Sequence, residues 1–307
     1  MTKAPESAAE DGPDGRPIVQ THIDRGGTFT DVVHIASDGR ATARKVPSDA
    51  AVVGELARGA LTFGTTVATN ALLERRFARV LLVVSEGFGD LAWLGDQARP
   101  ALFDLDAAWP APPVARVLEV GGRIGAGGRE LEPVALPERL DLDGVDAVAI
   151  ALLGSHENAA HELAVAALVP AASGVHVALG HALSPELGYL ARVETALVDA
   201  AVTPTLRAAR ARDRLPAAAL AMRSDGSLCP ADALRAPDAV LSGPAGGVLA
   251  VAHAAALAGF AHAVGLDMGG TSTDVSHYDG ELERTFETEV AGVRMRAPMM
   301  RIHTVAA

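Results

Sequence analysis

The chain has 307 residues, of which 49% are hydrophobic and 21% charged, with a formal net charge of −12. This length and apolar content allow a large buried core and suggest about two domains. The acidic balance, without a basic stripe or interleaved aromatic residues, argues against a nucleic-acid partner. A lone cysteine, Cys229, allows neither an internal disulfide nor a cysteine metal cluster. We interpret it as a structural residue of a cytoplasmic protein.

Residues 1–16 are polar, net acidic and rich in proline and glycine. They have neither the cationic start nor the apolar core of a signal peptide, so we predict a disordered tail. The longest apolar stretch, residues 248–266, is rich in alanine and is interrupted by His253, Gly259 and His262. This composition favours a buried helix followed by a strand, and no membrane partner is predicted.

A three-strand antiparallel meander is predicted from residue 17 onward, with the strands PIVQTHID, TFTDVVHIA and ATARKVP. Its first turn contains Gly26 and Gly27. GTTVATNALLERR predicts a loop that enters a helix. Apolar strands of a parallel sheet covered on both faces are predicted from ARVLLVVSEGFGDL and DAVAIALL. A crossover helix is predicted from HENAAHELAVAALV. Within that segment, His156 and His161 are five residues apart and fall on different helix faces, which argues against a zinc site.

The segment SPELGYLARVETALVDAAV predicts a helix with Ser184 as N-cap, which Pro204 ends or kinks. We place a domain boundary before this helix, giving domains at residues 17–183 and 184–307. The fold class predicted from this order of elements is α/β.

One sequence motif, D-x-G-G-T-x-T-D, occurs at residues 24–31 and again at residues 267–274. Glycines let backbone N–H groups approach a phosphate closely, and threonine hydroxyls add donors. Asp24 and Asp267, each at the end of an apolar strand, would hold a hydrated Mg²⁺ ion and are the candidate catalytic residues. The residues predicted to contact nucleotide phosphates are Gly26, Gly27, Thr28, Thr30, Gly269, Gly270, Thr271 and Thr273.

A simpler interpretation is that each turn is a β-hairpin whose glycines supply positive φ. Duplication in two α/β halves favours the phosphate interpretation, since a clamp between facing domains needs one loop from each. A Walker-type loop is excluded, because neither Lys3 nor Lys45 follows the required glycine pattern.

Three further residues are predicted to face a substrate. Thr66 and Asn70 lie in the polar loop GTTVATN, where ordinary helix capping is the alternative. Arg99 would pair with a substrate carboxylate, with a solvated surface arginine as the alternative.

Five motifs in order resemble the hydantoinase A/oxoprolinase family, most closely its ATP-dependent 5-oxoprolinase branch. They are DRGGTFTDV, FGTTVATNALLER, GDQARPALFDL, LSGPAGG and GLDMGGTSTDV. The resemblance implies an actin-like, Hsp70-like ATPase fold of two RNase H-like halves, with the two glycine turns as its phosphate loops. It also implies ATP and Mg²⁺, a cyclic amide such as 5-oxoproline or a hydantoin as substrate, and phosphorylation of the amide oxygen before ring opening by water.

The chemistry explains the need for ATP. An unstrained amide is a poor electrophile, and phosphorylating its oxygen makes the carbon attackable. Catalysis of that transfer is chiefly positioning and charge neutralisation, so no protein nucleophile is required.

Relatives continue beyond the final residues RIHTVAA into a glycine-rich loop, so we expect the second half to be truncated. The chain would then be a fragment, or a piece completed by a hydantoinase B-type subunit or by another copy of itself. Two alternatives stay open. One is the ATPase subunit of an acetone or acetophenone carboxylase-like complex, and the other is a non-catalytic nucleotide-binding remnant.

Overall fold

The computed structural model describes residues 16–49, 52–98, 101, 103–104, 106, 109–268 and 272–306. Apart from Arg16, the predicted tail lies outside these residues. Arg99 of the predicted substrate site and Gly269, Gly270 and Thr271 of the second turn lie outside them as well.

The strands of the described residues follow in chain order. They are β1 Ile18–Arg25, β2 Phe29–Ala36, β3 Ala41–Pro47, β4 Ala60–Thr65, β5 Val80–Ser85, β6 Arg116–Val120, β7 Arg123–Ile124, β8 Glu130–Glu132, β9 Ala147–Ala151, β10 His176–Leu179, β11 Leu220–Met222, β12 Leu228–Pro230, β13 His262–Met268, β14 Ser272–Asp279, β15 Arg284–Val290, β16 Val293–Met300 and β17 His303–Ala306.

The α-helices lie between these strands. They are α1 Val53–Leu56, α2 Val67–Leu73, α3 Leu91–Leu94, α4 Ala160–Ala166, α5 Gly180–Leu183, α6 Tyr189–Asp213, α7 Ala236–Ala239 and α8 Ser242–Ala258. Within the described ranges, every helix is too short or too polar to cross a lipid bilayer.

The largest sheet contains the first glycine turn, and its strands lie in the order β12-β11-β4-β1-β2-β3. Strands β1, β2 and β3 form the predicted antiparallel meander, while β4 runs parallel to β1 and β11 parallel to β4. The chain therefore returns to this sheet after the boundary predicted at residue 184, because β11 and β12 both follow it. The boundary itself stays a prediction.

A second sheet, in the order β10-β9-β5-β6, is parallel throughout. All of β5 and β9 is buried, as expected for strands covered on both faces. In β9 the residues facing the α6 side are all alanines, whereas Val148 and Ile150 face the opposite cluster with Val165 of α4. The small alanine side chains let α6 pack closely on the sheet.

Helix α6 is the central element, with thirteen buried residues. The predicted N-cap is wrong, since α6 begins at Tyr189 after Gly188, and Ser184 instead follows α5 and hydrogen-bonds Glu186 with its hydroxyl. Pro204 does not end the helix, which continues to Asp213. Packing of α6 between the parallel sheet and β16 outweighs the one backbone hydrogen bond that a proline removes.

The strands that flank the second glycine motif, β13 and β14, belong to a third sheet, in the order β13-β14-β17, which α8 contacts. A separate hairpin of β15 and β16 packs against α6. The two strands of the predicted unit are therefore present and paired, and the last described strand pairs with β14.

Candidate functional site

The first glycine turn joins β1 to β2. It is closed by a hydrogen bond from the Gly26 amide to the Phe29 carbonyl, 3.0 Å long. A Cβ on Gly26 would lie 2.9 Å from that same carbonyl oxygen, so the backbone approach itself requires glycine. Asp24 and Asp31 face each other across the two strands.

The first turn does not need glycine for its dihedral angles. The turn is a β-hairpin, as the simpler interpretation predicted, but that interpretation is wrong about the glycines, since neither Gly26 nor Gly27 has a positive φ. A Cβ on Gly27 would meet only Asn70 Nδ2 at 3.5 Å, an ordinary contact. The fold therefore tolerates a side chain at Gly27, and leaving it bare keeps the backbone open to a ligand.

Ser48 stabilises the first turn through hydrogen bonds to its backbone and to Thr30. Its hydroxyl donates to the Gly26 carbonyl at 2.9 Å and lies 2.9 Å from the Thr30 hydroxyl, while its amide donates to the Thr28 carbonyl. Thr30 is fully buried, whereas Thr28 is exposed. Of the two threonines, Thr30 thus stabilises the turn's shape, and Thr28 lies on the accessible side.

A buried ion pair ties the turn to the end of α6. Arg25 Nη1 lies 2.7 Å from Asp213 Oδ1, and Nη2 donates to the Ser48 carbonyl at 2.6 Å. Burial raises the pKa of Asp213, and Arg25 opposes that rise. Sequence reasoning missed Arg25, Ser48 and Asp213. Arg25 lies inside the glycine motif and could have been suspected, but nothing in the local sequence connects Asp213 to a turn so distant along the chain.

Beside the first turn is a cavity of about 470 Å³, here called the turn cavity. It brings Gly26 and Gly27 together with the predicted Thr66 and Asn70. The remaining lining residues are Arg25, Ser48, Asp49, Val67, Arg76, Thr205, Ala208, Ala209 and Arg212. Two cationic side chains that the sequence did not single out, Arg76 and Arg212, therefore line the same space, which suits an anionic ligand.

The Thr65 hydroxyl accepts from the Val67 amide at the start of α2, but helix capping does not explain Thr66 or Asn70. Thr66 is the N-cap of α2 but makes no capping hydrogen bond with its side chain. Its hydroxyl instead accepts from Asn70 Nδ2 at 3.3 Å and donates to the Arg25 carbonyl at 3.4 Å. Thr69 hydrogen-bonds the Val240 carbonyl and is used by the fold. Thr66 and Asn70 are thus linked to the glycine turn.

The second turn repeats the strand pairing of the first. Asp267 pairs with Asp274 as Asp24 pairs with Asp31, and Thr273, like Thr30, is buried. Asp267 is exposed at the end of β13. The described part of both copies therefore has the same geometry, with one aspartate accessible at each strand end.

The two accessible aspartates lie within each other's electrostatic field. Burial raises the pKa of Asp24, the charges of Asp31 and Asp267 raise it further, and Lys45 opposes them. Lys45 Nζ is 2.7 Å from Asp31 Oδ2 and so neutralises mainly that carboxylate. A cation bound at Asp24 would lower the cost of ionising this carboxylate. Among the described residues, no group of three or more acidic, histidine or cysteine side chains forms a ready-made metal cage.

The single cysteine, Cys229, does not line the turn cavity. Burial raises the pKa of Cys229, so the thiol is not activated as a nucleophile.

Two models of one family match the chain. The hydantoinase/oxoprolinase N-terminal region matches residues 20–172, and hydantoinase/oxoprolinase matches residues 192–307. Among curated proteins, 5-oxoprolinase 1 of Arabidopsis thaliana is 36% identical over 93% of this chain and 27% of its own length. Caprolactamase subunit alpha of Pseudomonas jessenii is 29% identical over 93% of this chain and 47% of its own length.

Two solved structures have a similar fold. The nucleotide-free structure of acetone carboxylase matches with a TM-score of 0.77 at 19% identity, covering 95% of this chain and 48% of that one. The ATP-dependent caprolactamase from Pseudomonas jessenii matches with a TM-score of 0.74 at 25% identity, covering 93% and 48%. The chain thus spans about a quarter to a half of the length of these relatives. Both the predicted fold class and the predicted family are confirmed: the chain has the α/β, actin-like ATPase fold and belongs to the hydantoinase/oxoprolinase family.

Proposed function

We propose that this protein acts in the ATP-dependent hydrolysis of a cyclic amide, by phosphorylation of the amide oxygen. The observation that carries the proposal is the duplicated glycine motif, in which Asp24 faces Asp31 and Asp267 faces Asp274 across a pair of antiparallel strands. Similarity to 5-oxoprolinases and to a caprolactamase supports the choice of a cyclic amide.

The residues fit a magnesium–nucleotide complex. Mg²⁺ usually takes one or two protein carboxylates and keeps water and phosphate as its other ligands, so the lack of a protein cage in the described residues is compatible with it. Asp24 and Asp267 would hold the hydrated ion. The bare backbone at Gly27 and Thr28, with Gly269, Gly270 and Thr271, would receive the phosphates.

The proposed substrate side is the turn cavity. Thr66 and Asn70 would orient the cyclic amide, and Arg99 would pair with a carboxylate on it. When bound, ATP would supply the phosphoryl group that, once on the amide oxygen, makes the ring carbonyl carbon open to attack by water, with the ring nitrogen as the group that leaves. The chain's own residues orient the reactants and neutralise charge.

We also propose a partner, either a hydantoinase B-type subunit or a second copy of the chain, and a cytoplasmic location. The name of the caprolactamase relative, subunit alpha, supports a partner subunit.

The test is phosphate release from Mg·ATP with 5-oxoproline, ε-caprolactam, hydantoin, acetone plus bicarbonate, or no addition. Stimulation by a cyclic amide supports the proposal, and stimulation only by acetone plus bicarbonate indicates a carboxylase subunit instead. If Mg·ATP neither binds nor is hydrolysed, the proposal is wrong.

A matched pair of variants tests the metal assignment. Asp267→Asn should abolish the rise in melting temperature that Mg·ATP causes. Asp279→Asn removes the same charge at the opposite end of the same hairpin, where Asp279 pairs with His262, and should leave that rise unchanged. An unchanged rise in Asp267→Asn would refute the assignment.

A further inference from the structure

A second cavity, of about 240 Å³, lies between α3, the first half of α6 and the β15–β16 hairpin. Both tryptophans of the chain, Trp93 and Trp109, line it and are about half exposed. We call it the tryptophan cavity. Its volume is below the roughly 300–1,000 Å³ of drug-sized sites, so it suits a small ligand.

The charged residues of this cavity are mainly acidic. Asp96, Glu194 and Glu289 line it together with a single cation, Arg294. That guanidinium is already engaged, since Nη2 lies 2.9 Å from Glu194 Oε1 and Nη1 bonds Asp96. Glu289 is exposed, lines the cavity and lies opposite Arg294 in the hairpin, but its carboxylate has no hydrogen bond or ion pair with any residue that the structure describes. The charge of Arg294 is therefore already balanced by two carboxylates, while the Glu289 carboxylate is left for a cation.

Indole rings and an unpaired carboxylate together select one class of ligand. Tryptophan is the best aromatic partner for an organic cation, and its ring also covers the apolar part of such a molecule. An anion would meet the surplus negative charge. We propose that the tryptophan cavity is a binding site for a small organic ammonium ion, with its apolar body against Trp93 and Trp109 and its charge paired with Glu289.

This site is separate from the turn cavity. The nearest lining residues of the two cavities on α6 are Leu197 and Thr205, which at 1.5 Å per residue are about 12 Å apart along its axis. The inference therefore does not depend on the proposed function.

Because both tryptophans line the cavity, the intrinsic fluorescence of the whole chain reports binding directly. The chain is titrated with n-butylammonium chloride, n-butanol or sodium butyrate at constant ionic strength, with N-acetyltryptophanamide as a control for collisional quenching. We expect a saturable change with n-butylammonium, at least tenfold tighter than with n-butanol, and none with butyrate. Equal binding of the alcohol, or no saturable change with the amine, would overturn the proposal.

Two matched variants locate the charge. Glu289→Gln should weaken n-butylammonium binding about three- to fivefold, the scale of one partly screened ion pair. Glu281→Gln removes an exposed carboxylate from the turn before β15 and should change nothing. Trp109→Phe keeps an aromatic wall, so it should halve the fluorescence response and keep the binding. Equal affinity of Glu289→Gln and the unmodified chain would refute the assigned ion pair.

Discussion

The substitution Gly27→Ala separates a glycine needed by the fold from a glycine kept for a ligand. Its new methyl group meets only Asn70 Nδ2 at 3.5 Å, and Gly27 has no positive φ. The ligand-free protein should therefore be as stable as the unmodified chain, or more stable by up to about 1 kcal/mol. Gly26→Ala is the contrast, because its Cβ would lie 2.9 Å from the Phe29 carbonyl. We expect it to cost about 1–3 kcal/mol.

The effect on nucleotide binding follows from one lost contact. A charge-assisted hydrogen bond from the Gly27 backbone to a phosphate is worth about 1.5–3 kcal/mol, so blocking it should weaken binding at least tenfold. At a Mg·ATP concentration a hundred times the dissociation constant, the unmodified chain gains about 2.7 kcal/mol. After a tenfold loss of affinity, the gain falls to about 1.4 kcal/mol or less.

The assay is thermal unfolding with and without Mg·ATP, alongside calorimetric titration of the affinity. At about 2 °C per kcal/mol for a chain of this size, the nucleotide-induced shift should drop from about 5 °C to below about 3 °C. If Gly27→Ala lowers the melting temperature of the ligand-free protein and keeps the full shift, Gly27 serves the fold and the reasoning is refuted.

Three further substitutions test the surrounding structure. Asp24→Asn should raise the stability of the ligand-free protein at neutral pH, because burial and nearby carboxylates raise the pKa of Asp24 and disfavour its ionised form. In the unmodified chain this penalty grows as the pH rises from about 4 through the raised pKa, so a melting profile against pH should be flatter for the variant. Asp213→Ala removes the carboxylate paired with the buried Arg25, which keeps its hydrogen bond to the Ser48 carbonyl, and should lower the unfolding free energy by about 3–5 kcal/mol, measured by urea titration. A loss below about 1 kcal/mol would show that the pair does not hold the turn. Leu82→Ala, at a fully buried site, should cost about 2–5 kcal/mol in the same titration.

The pattern of apolar and turn residues along the sequence was sufficient to predict much of the fold. The meander of β1, β2 and β3 was predictable because alternation and turn residues act over a few neighbours. The apolar runs of β5 and β9 showed a sheet covered on both faces. The start of α6 was mispredicted because Ser184 and Pro185 form a plausible cap locally, whereas the observed helix begins after Gly188.

Only part of the candidate nucleotide site could be predicted from the sequence. The paired glycine turns and the loop with Thr66 and Asn70 could be recognised from their spelling. The ion pair that stabilises the first turn could not be predicted, since Arg25 and Asp213 meet only after the chain has formed α6 and returned to the first sheet. The tryptophan cavity was also missed, because its walls come from four separate segments, at residues 92–96, 109–113, 194–197 and 289–294.

The central claim, that both glycine turns hold one nucleotide, is tested most directly by the stoichiometry of Mg·ATP binding in calorimetric titrations. The account predicts one nucleotide per chain, lost or strongly weakened by either Asp24→Asn or Asp267→Asn. Two nucleotides per chain, or unmodified affinity in either variant, would contradict it.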